Sequence, residues 1–438
     1  MKILRQLIDG LLALFLFLLP WQTRWLWQVN FLNKTYWEYG SQSLYATEIL
    51  LWLIIILTFL DFILTKEVRT KLFSAGLWQQ RQKYFYLSLG LLAYLAATVI
   101  FSREPRLSYY FVFRLLEIWC LALVIYYQLN KDRFIWPLWL AGVGQGIFAL
   151  WQFFAQYIPA SKWLGLAEQA PANLGVSVIE FGDERWLRAY GSLGSPNALG
   201  LFLAVIFLLG LYLYAKLNNR QRIFFTLGQI CILLGLLLSF SRAAYLAVIV
   251  GIIFYVFNFL KHCQRVIGRE LFYSVLITVF LVAALTPLFA ARFNLSNRLE
   301  QKSWQERQSQ YSEALQIFYS RPFWGVGPGA YTAELAARHP DQPAWNYQPV
   351  HSLYLMLLVE TGLVGLFLFI FGLYWVAKNV YYFRPQTWPL LAGLLTAGLF
   401  DHWFWSMFTG QAFFCLILAI ILPTVHQQAP VDGGPYSR

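Results

Sequence analysis

Three short stretches put groups able to do chemistry where an apolar chain ordinarily avoids them. In QPVHSLYLMLLVETGLVG, residues 348–365, His351 stands where a polar loop meets an apolar helix, and Glu360 follows inside that helix. Histidine, with an unperturbed pKa of about 6.5, is the side chain best suited to accept a proton at neutral pH. A lone histidine at a helix start is equally an ordinary polar cap. In LLLSFSRAAYLAVIVG, residues 236–251, two apolar runs meet at Ser239–Phe240–Ser241–Arg242 with no room for a loop. Arg242 must therefore occupy a tight turn at the membrane boundary. Arginine at mid-membrane costs about 2.5–3.5 kcal/mol on insertion scales, so even partial immersion wants a partner. A phosphate would serve, because the planar guanidinium fork never loses its charge; so would lipid headgroups reached by snorkelling. In RAYGSLGSPNALGLFLAV, residues 188–205, Arg188 precedes a helix start marked by Ser195, Pro196 and Asn197. The unpaired N–H groups and partial positive charge of that terminus would add to its donors. A snorkelling arginine beside a capped helix accounts for the same residues.

Other charged groups read as structural. Glu360 lies about 13 Å deeper than His351 and about 180° round the helix, so helix geometry denies them a common site. A hydrogen bond to a neighbouring helix suits it better. Arg114 and Glu117, three apart on one face, can neutralise each other in the membrane. Asp401 and His402 have no second histidine or cysteine at ligand spacing, which leaves a metal site there weakly supported.

The elements that must position these groups are membrane helices. Hydrophobic residues make up 59% of 438 positions and charged residues 12%, with a mean hydropathy of +0.53. A soluble chain carries roughly twice that charged fraction. Apolar runs predict an all-α, polytopic architecture of about twelve spans: 5–20, 46–65, 84–102, 109–128, 134–157, 194–215, 223–241, 243–260, 271–290, 351–377, 387–403 and 408–424. This divides the chain into a five-helix part, 1–157, a second membrane part, 158–425, and a tail, 426–438. The first run resembles a signal peptide but lacks a cleavage site and is expected to remain as an anchor.

Orientation follows from the short loops. Lys66, Arg69, Lys71, Arg81 and Lys83, then Lys131 and Arg133, Lys216, Arg220 and Arg222, Lys261, Arg265 and Arg269, and Lys378 and Arg384 fall on one side. By the positive-inside rule both termini are cytoplasmic, and the long loops 158–193 and 291–350 face outward. The net charge of +12 expresses this topology and attraction to anionic lipid, so no nucleic-acid partner is read from it. Cys120, Cys231, Cys263 and Cys415 offer neither a disulfide nor a metal framework. In SWQERQSQYSEALQIFYSRP, Trp304, Gln308, Tyr311, Leu315 and Phe318 recur at helical spacing. They predict an amphipathic helix on the membrane surface, a lid over the outer cavity.

The series RAYGSLGSPNALG, SFSRAAYL, RPFWGVGPGAY and HSLYLMLLVETGLVG resembles the O-antigen ligase and polymerase superfamily over residues 188–365. The resemblance implies an inverting glycosyltransferase of a bacterial inner membrane. It would move a glycan from a polyprenyl pyrophosphate to an acceptor hydroxyl, such as one on lipid A–core, at the periplasmic face. Carried over by it, His351 would be the general base and Arg188 and Arg242 would bind the pyrophosphate. Arg321 would be a third cation from the lid, with Asn197, Ser241 and Tyr354 as supporting groups. No cofactor or metal is implied; the arginines would neutralise the leaving group. A ligase is favoured modestly, because the long loop directly precedes His351. A polymerase joining lipid-linked repeats, or a relative that glycosylates protein hydroxyls, differs only in acceptor. A polyprenyl-lipid transporter is the reading from another class. It lacks the repeated halves transporters tend to show, and the polar groups here gather at one face instead of the midplane.

Overall fold

The computed structural model describes residues 2–65, 75–126, 131–262 and 265–423. Helix α1 (Lys2–Leu18) leads into a small β layer, β1 (Arg24–Gln28), β2 (Phe31–Leu32), β3 (Thr35–Tyr36) and β4 (Gln42–Tyr45). Four helices follow: α2 (Ala46–Leu64), α3 (Ala75–Thr98), α4 (Pro105–Tyr126) and α5 (Ile135–Ala155). A hairpin, β5 (Val178–Phe181) and β6 (Glu184–Leu187), precedes α6 (Pro196–Tyr214), α7 (Asn219–Leu238), α8 (Arg242–His262) and α9 (Arg265–Ala284). The long loop holds α10 (Thr286–Phe293), α11 (Arg298–Ser320) and α12 (Tyr331–Arg338). Finally come α13 (Leu353–Phe383), α14 (Trp388–Phe400), α15 (Trp403–Ser406) and α16 (Phe408–Ile421).

Over their described residues the apolar segments are mostly helical, as the apolar runs led one to expect. Two expectations need correction. The chain is not purely α: β1 pairs with β4, β2 with β3 and β5 with β6, all antiparallel. Among the described residues, six helices are long and apolar enough to cross a membrane, or seven counting one bent pair. Several apolar helices, such as Phe408–Ile421, are shorter than these. The side chains of Arg81, Lys83, Lys261 and Arg265, and residues Lys66, Arg69, Lys71, Cys263 and 426–438, lie outside the described residues.

Helix α6 is buried along nearly its whole length and forms the axis of the bundle. It packs on α5, α7, α8 and α14. The two ends of the chain also interlock, since α4 packs on α16 and α3 on α13. Between α9 and the α10–α11 segment the chain turns by 88°. If α9 is upright, α11 runs across the end of the bundle, as an amphipathic lid should. Its inward face holds Glu300, Ala314 and Ile317, and it packs on α13. The face differs from the expected one: Trp304 is 60% and Leu315 39% exposed.

Candidate active site

The site is built on the turn between α7 and α8. Phe240 has φ +47°, a left-handed conformation that a bulky side chain avoids. The turn presents two backbone carbonyls to two guanidinium groups. Ser239 O accepts from Arg188 Nε at 2.8 Å, and Phe240 O accepts from Arg292 Nε at 3.0 Å. Asn197 Oδ1 accepts from Arg188 Nη2 at 2.9 Å, so Asn197 orients Arg188. Ser241 is buried in the same turn, and its Oγ finds no hydrogen-bond partner among the described residues.

Glu300, in the first turn of α11, closes the group. It meets Arg242 at 3.0 Å and also pairs with Arg292. Two guanidinium groups thus meet one carboxylate, and Arg188 stands near enough to feel the charge of Arg292, leaving an excess of positive charge. Burial first, and then the charge of Arg292, pushes Arg188 down to about 9. An anion arriving here relieves that repulsion. Arg242 is its natural first contact, because 31% of its side chain is exposed against 11% for Arg292.

Helix α11 carries the site onward to His351. Gln310 is ten residues beyond Glu300, about 15 Å along the helix, and its Oε1 lies 2.8 Å from His351 Nδ1. A carbonyl oxygen only accepts, so Nδ1 carries the proton there and Nε2 keeps its lone pair. Tyr311, the next residue, donates its hydroxyl to His351 O at 3.1 Å. Arg307, one turn back, places its charge against both Arg242 and His351.

His351 also faces a second histidine. The rings of His351 and His402 stand edge to face at 5.4 Å, and Tyr39 meets His402 from beyond at 6.2 Å. Burial first, then His402, with Arg307 adding to them, push His351 down to about 4, against an opposing pull from Asp401. Asp401 accepts from Trp403 N at 2.8 Å, and His402 Nδ1 and Ser406 Oγ share a 2.6 Å hydrogen bond. His351 is therefore a neutral imidazole at neutral pH.

The structure brings Arg188, Arg242, Asn197 and Ser241 together and connects them to His351 through α11. It does not bring Arg321 to them. Arg321 stands at the far end of α11, about 30 Å along the helix from Glu300, and donates to Phe101 O at 2.9 Å. It cannot share a phosphate group with Arg242. Tyr354 donates its hydroxyl to Leu395 O at 3.0 Å and so ties α13 to α14. Glu360 accepts from Gly329 N, Tyr331 N and Trp405 Nε1 at 2.8, 3.1 and 2.6 Å, a structural clamp on the glycine loop. Arg114 pairs with Glu48 of α2 at 3.3 Å, while Glu117 accepts from Trp52 Nε1. The expected Arg114–Glu117 pair is thus replaced by two links between α4 and α2.

Sequence reasoning passed over Arg292, Glu300, Arg307 and Gln310, and considered His402 only as a metal ligand. A charge in a polar loop costs little, so it attracts no notice. The spacing Glu300, Arg307, Gln310 and Ala314, at intervals of seven, three and four, was the available signal for the inward face of α11.

A family model described as O-antigen ligase matches residues 227–370, which supports membership of the O-antigen ligase superfamily. The segment runs from α7 through Arg242, Glu300 and His351 into α13; Arg188 and His402 lie outside it. Comparison with curated proteins gave no match.

Proposed function

We infer that this chain is a membrane glycosyltransferase of the O-antigen ligase and polymerase type. It transfers a glycan from a polyprenyl pyrophosphate to an acceptor hydroxyl at the periplasmic face. One observation carries the reading: a single surface helix holds the carboxylate of an arginine cluster at Glu300 and the partner of a neutral histidine at Gln310. That spacing suits a substrate with a pyrophosphate at one end and a reacting sugar at the other.

In the reaction, His351 Nε2 accepts the proton of the acceptor hydroxyl as its oxygen attacks the anomeric carbon. The bond from that carbon to the pyrophosphate oxygen breaks on the opposite face, and configuration inverts. Negative charge grows on the leaving pyrophosphate, where Arg242 and Arg188 donate to it. Charge-assisted hydrogen bonds of this kind are worth about 1.5–3 kcal/mol each, and more is realised as the charge develops. General-base help from His351 contributes typically about 10²–10⁴-fold. Arg321, held at Phe101, takes no part. A finished glycan passed to lipid A–core is the favoured transfer, because the long loop 291–350 directly precedes His351.

The test is transfer by purified protein from a polyprenyl-pyrophosphate glycan to lipid A–core, a second lipid-linked repeat and a serine peptide. Wild type should use one acceptor. His351→Ala should lose transfer while keeping its melting temperature, and Arg242→Lys should lose most of it, because lysine keeps charge but not the fork. Donor movement across vesicles without transfer would replace this reading with a transporter.

A further inference from the structure

The far end of α11 carries positive charge that the cluster at Glu300 does not use. Glu334, buried in α12, pairs with Arg338 at 3.2 Å and with Arg103 at 3.5 Å. Arg338 also donates to Ser320 Oγ at 3.0 Å. Arg321, next to Ser320 in the chain, spends one N–H on Phe101 O. The rest of its exposed guanidinium has no partner among the described residues. Glu104 and Arg106, both exposed, belong to the same 101–106 segment. Arg103, Arg106, Arg321 and Arg338 thus stand against Glu104 and Glu334.

Beside Arg321 opens a groove of about 260 Å³, bounded by Phe101, Pro322, Phe323, Trp324 and Gly325. Phe101, Phe323 and Trp324 are exposed although large and aromatic. Local bonds hold them there. Arg321 N donates to Phe318 O at 3.0 Å, Gly325 N to Arg321 O at 3.1 Å and Leu363 N to Pro322 O at 2.8 Å. Trp324 stacks on Phe101 and on Tyr94, with ring centroids 5.6 and 6.2 Å away. From the groove an apolar face leads along α13. No residue from Leu353 to Gly362 is exposed; Leu363 is the first, and Phe367, Ile370 and Tyr374 follow at intervals of four, three and four. Those intervals keep to one side of a helix. Phe101 ends the apolar stretch Phe85–Phe101, and Leu363 lies in the candidate span Leu353–Phe383. The groove therefore sits where lipid-facing surface begins.

A hydrocarbon chain alone has no use for the cations, and a free phosphate would leave three aromatic rings uncovered. A lipid with a phosphate headgroup and acyl chains meets both. Its phosphate suits the open guanidinium fork, and its chains suit the rings and the stripe below them. The pyrophosphate of the donor is a different occupant, because Arg242 and Glu300 lie about 30 Å away along α11. We propose that this end of α11 binds a phosphate-bearing acyl lipid, with the headgroup on Arg321 and a chain over Phe101, Phe323 and Trp324 toward the exposed stripe of α13. Such a lipid fastens the far end of the helix that carries Glu300 and Gln310. The site holds no reacting group and its test needs no turnover, so it stands or falls apart from the glycosyltransferase reading.

The test is native mass spectrometry of full-length protein with phosphatidylglycerol. Arg321→Gln keeps a donor for Phe101 O, so its melting temperature should match wild type. Its first lipid should bind about tenfold or more weakly, the loss of one charge-assisted hydrogen bond. Phe323→Ser, which removes an exposed wall and leaves the arginine in place, should weaken the same lipid about three- to tenfold. Arg298→Gln, at the other end of α11 where Arg298 pairs with Glu180, should bind as wild type does. Diacylglycerol with the same chains should bind wild type more weakly, and excess inorganic phosphate should not displace the lipid. Wild-type affinity in Arg321→Gln or in Phe323→Ser overturns the proposal, as does an equal loss in Arg298→Gln, which would mean attraction to surface charge only. Diacylglycerol that matches phosphatidylglycerol, or phosphate that displaces it, also overturns it, since chain alone or phosphate alone would then be recognised.

Discussion

At the scale of single residues, the proposed chemistry depends on a histidine that stays unprotonated beside arginines. His351 has an ordinary value of 6.5 and is pushed to about 4 by burial, then by His402, with Arg307 adding to them. A lowered value means the imidazole takes a proton only in quite acidic solution, so the base form is complete at neutral pH. The acid limb of kcat/KM, which reports the free enzyme, is therefore expected near pH 4 and not near 6.5. Arg307→Gln removes one of the lowering charges and should move that limb upward, toward 6.5 without reaching it, because burial and His402 remain. A pH series of kcat/KM on both proteins decides the matter. A wild-type limb at 6.5, or a limb that the substitution leaves in place, would remove His351 as the base or Arg307 as its neighbour.

At the scale of elements, the lid is anchored by a break in α13. Gly362 has φ +68° and ψ −174°, interrupting the helix so that loop and helix backbones can meet. Val326 N donates to Val359 O, Gly327 N to Glu360 O and Leu363 N to Pro322 O, at 3.0, 3.0 and 2.8 Å. Non-helical backbone at this depth persists because protein surrounds it. A Cβ on Gly362 would stand 2.1 Å from Phe323 O, whereas one on Gly372, in the same helix, would meet nothing within 4 Å. Gly362→Ala should then lower the melting temperature through a cost of at least about 1–3 kcal/mol, while Gly372→Ala should be neutral or slightly stabilising. Equal melting temperatures would mean the break does not anchor the loop. Much of this layer was legible in the sequence, and some was not. Apolar runs revealed the helices, and the costly placements of Arg242 and His351 drew attention to the site. The rotation of α11 was hidden, because its inward face is chosen by Glu300 and Gln310 meeting partners far off in the chain. The separation of Arg321 was hidden too, since neighbouring motifs in sequence can stand at opposite ends of one long helix.

At the scale of the whole molecule, the two ends of the bundle use charge differently. At one end, Asp132 takes both Lys216 and the fully buried Arg384, the latter at 2.9 Å, while Lys131 donates to Ala419 O and Leu422 O. These are among the cations from which the positive-inside rule predicts the orientation, and here they are tied into the fold and compensated. At the other end, Glu300 pairs with Arg242 and Arg292 while Arg188 is held by Ser239 O and Asn197, so positive charge is in excess among the described residues there. Orientation consequently decides the chemistry: with the arginine end outward, only a lipid-linked donor can supply activated sugar; with it inward, soluble nucleotide sugars could reach it. Cysteine accessibility distinguishes the two. In a background with Cys120, Cys231, Cys263 and Cys415 changed to serine, Asp341→Cys and Arg220→Cys each present one thiol at an exposed position, at opposite ends of the bundle. On intact spheroplasts a membrane-impermeant maleimide should label the cysteine at 341 and spare the one at 220, which should react only after lysis. The reverse pattern would turn the arginine cluster toward the cytoplasm. It would thereby withdraw the argument that the donor must arrive on a polyprenyl pyrophosphate.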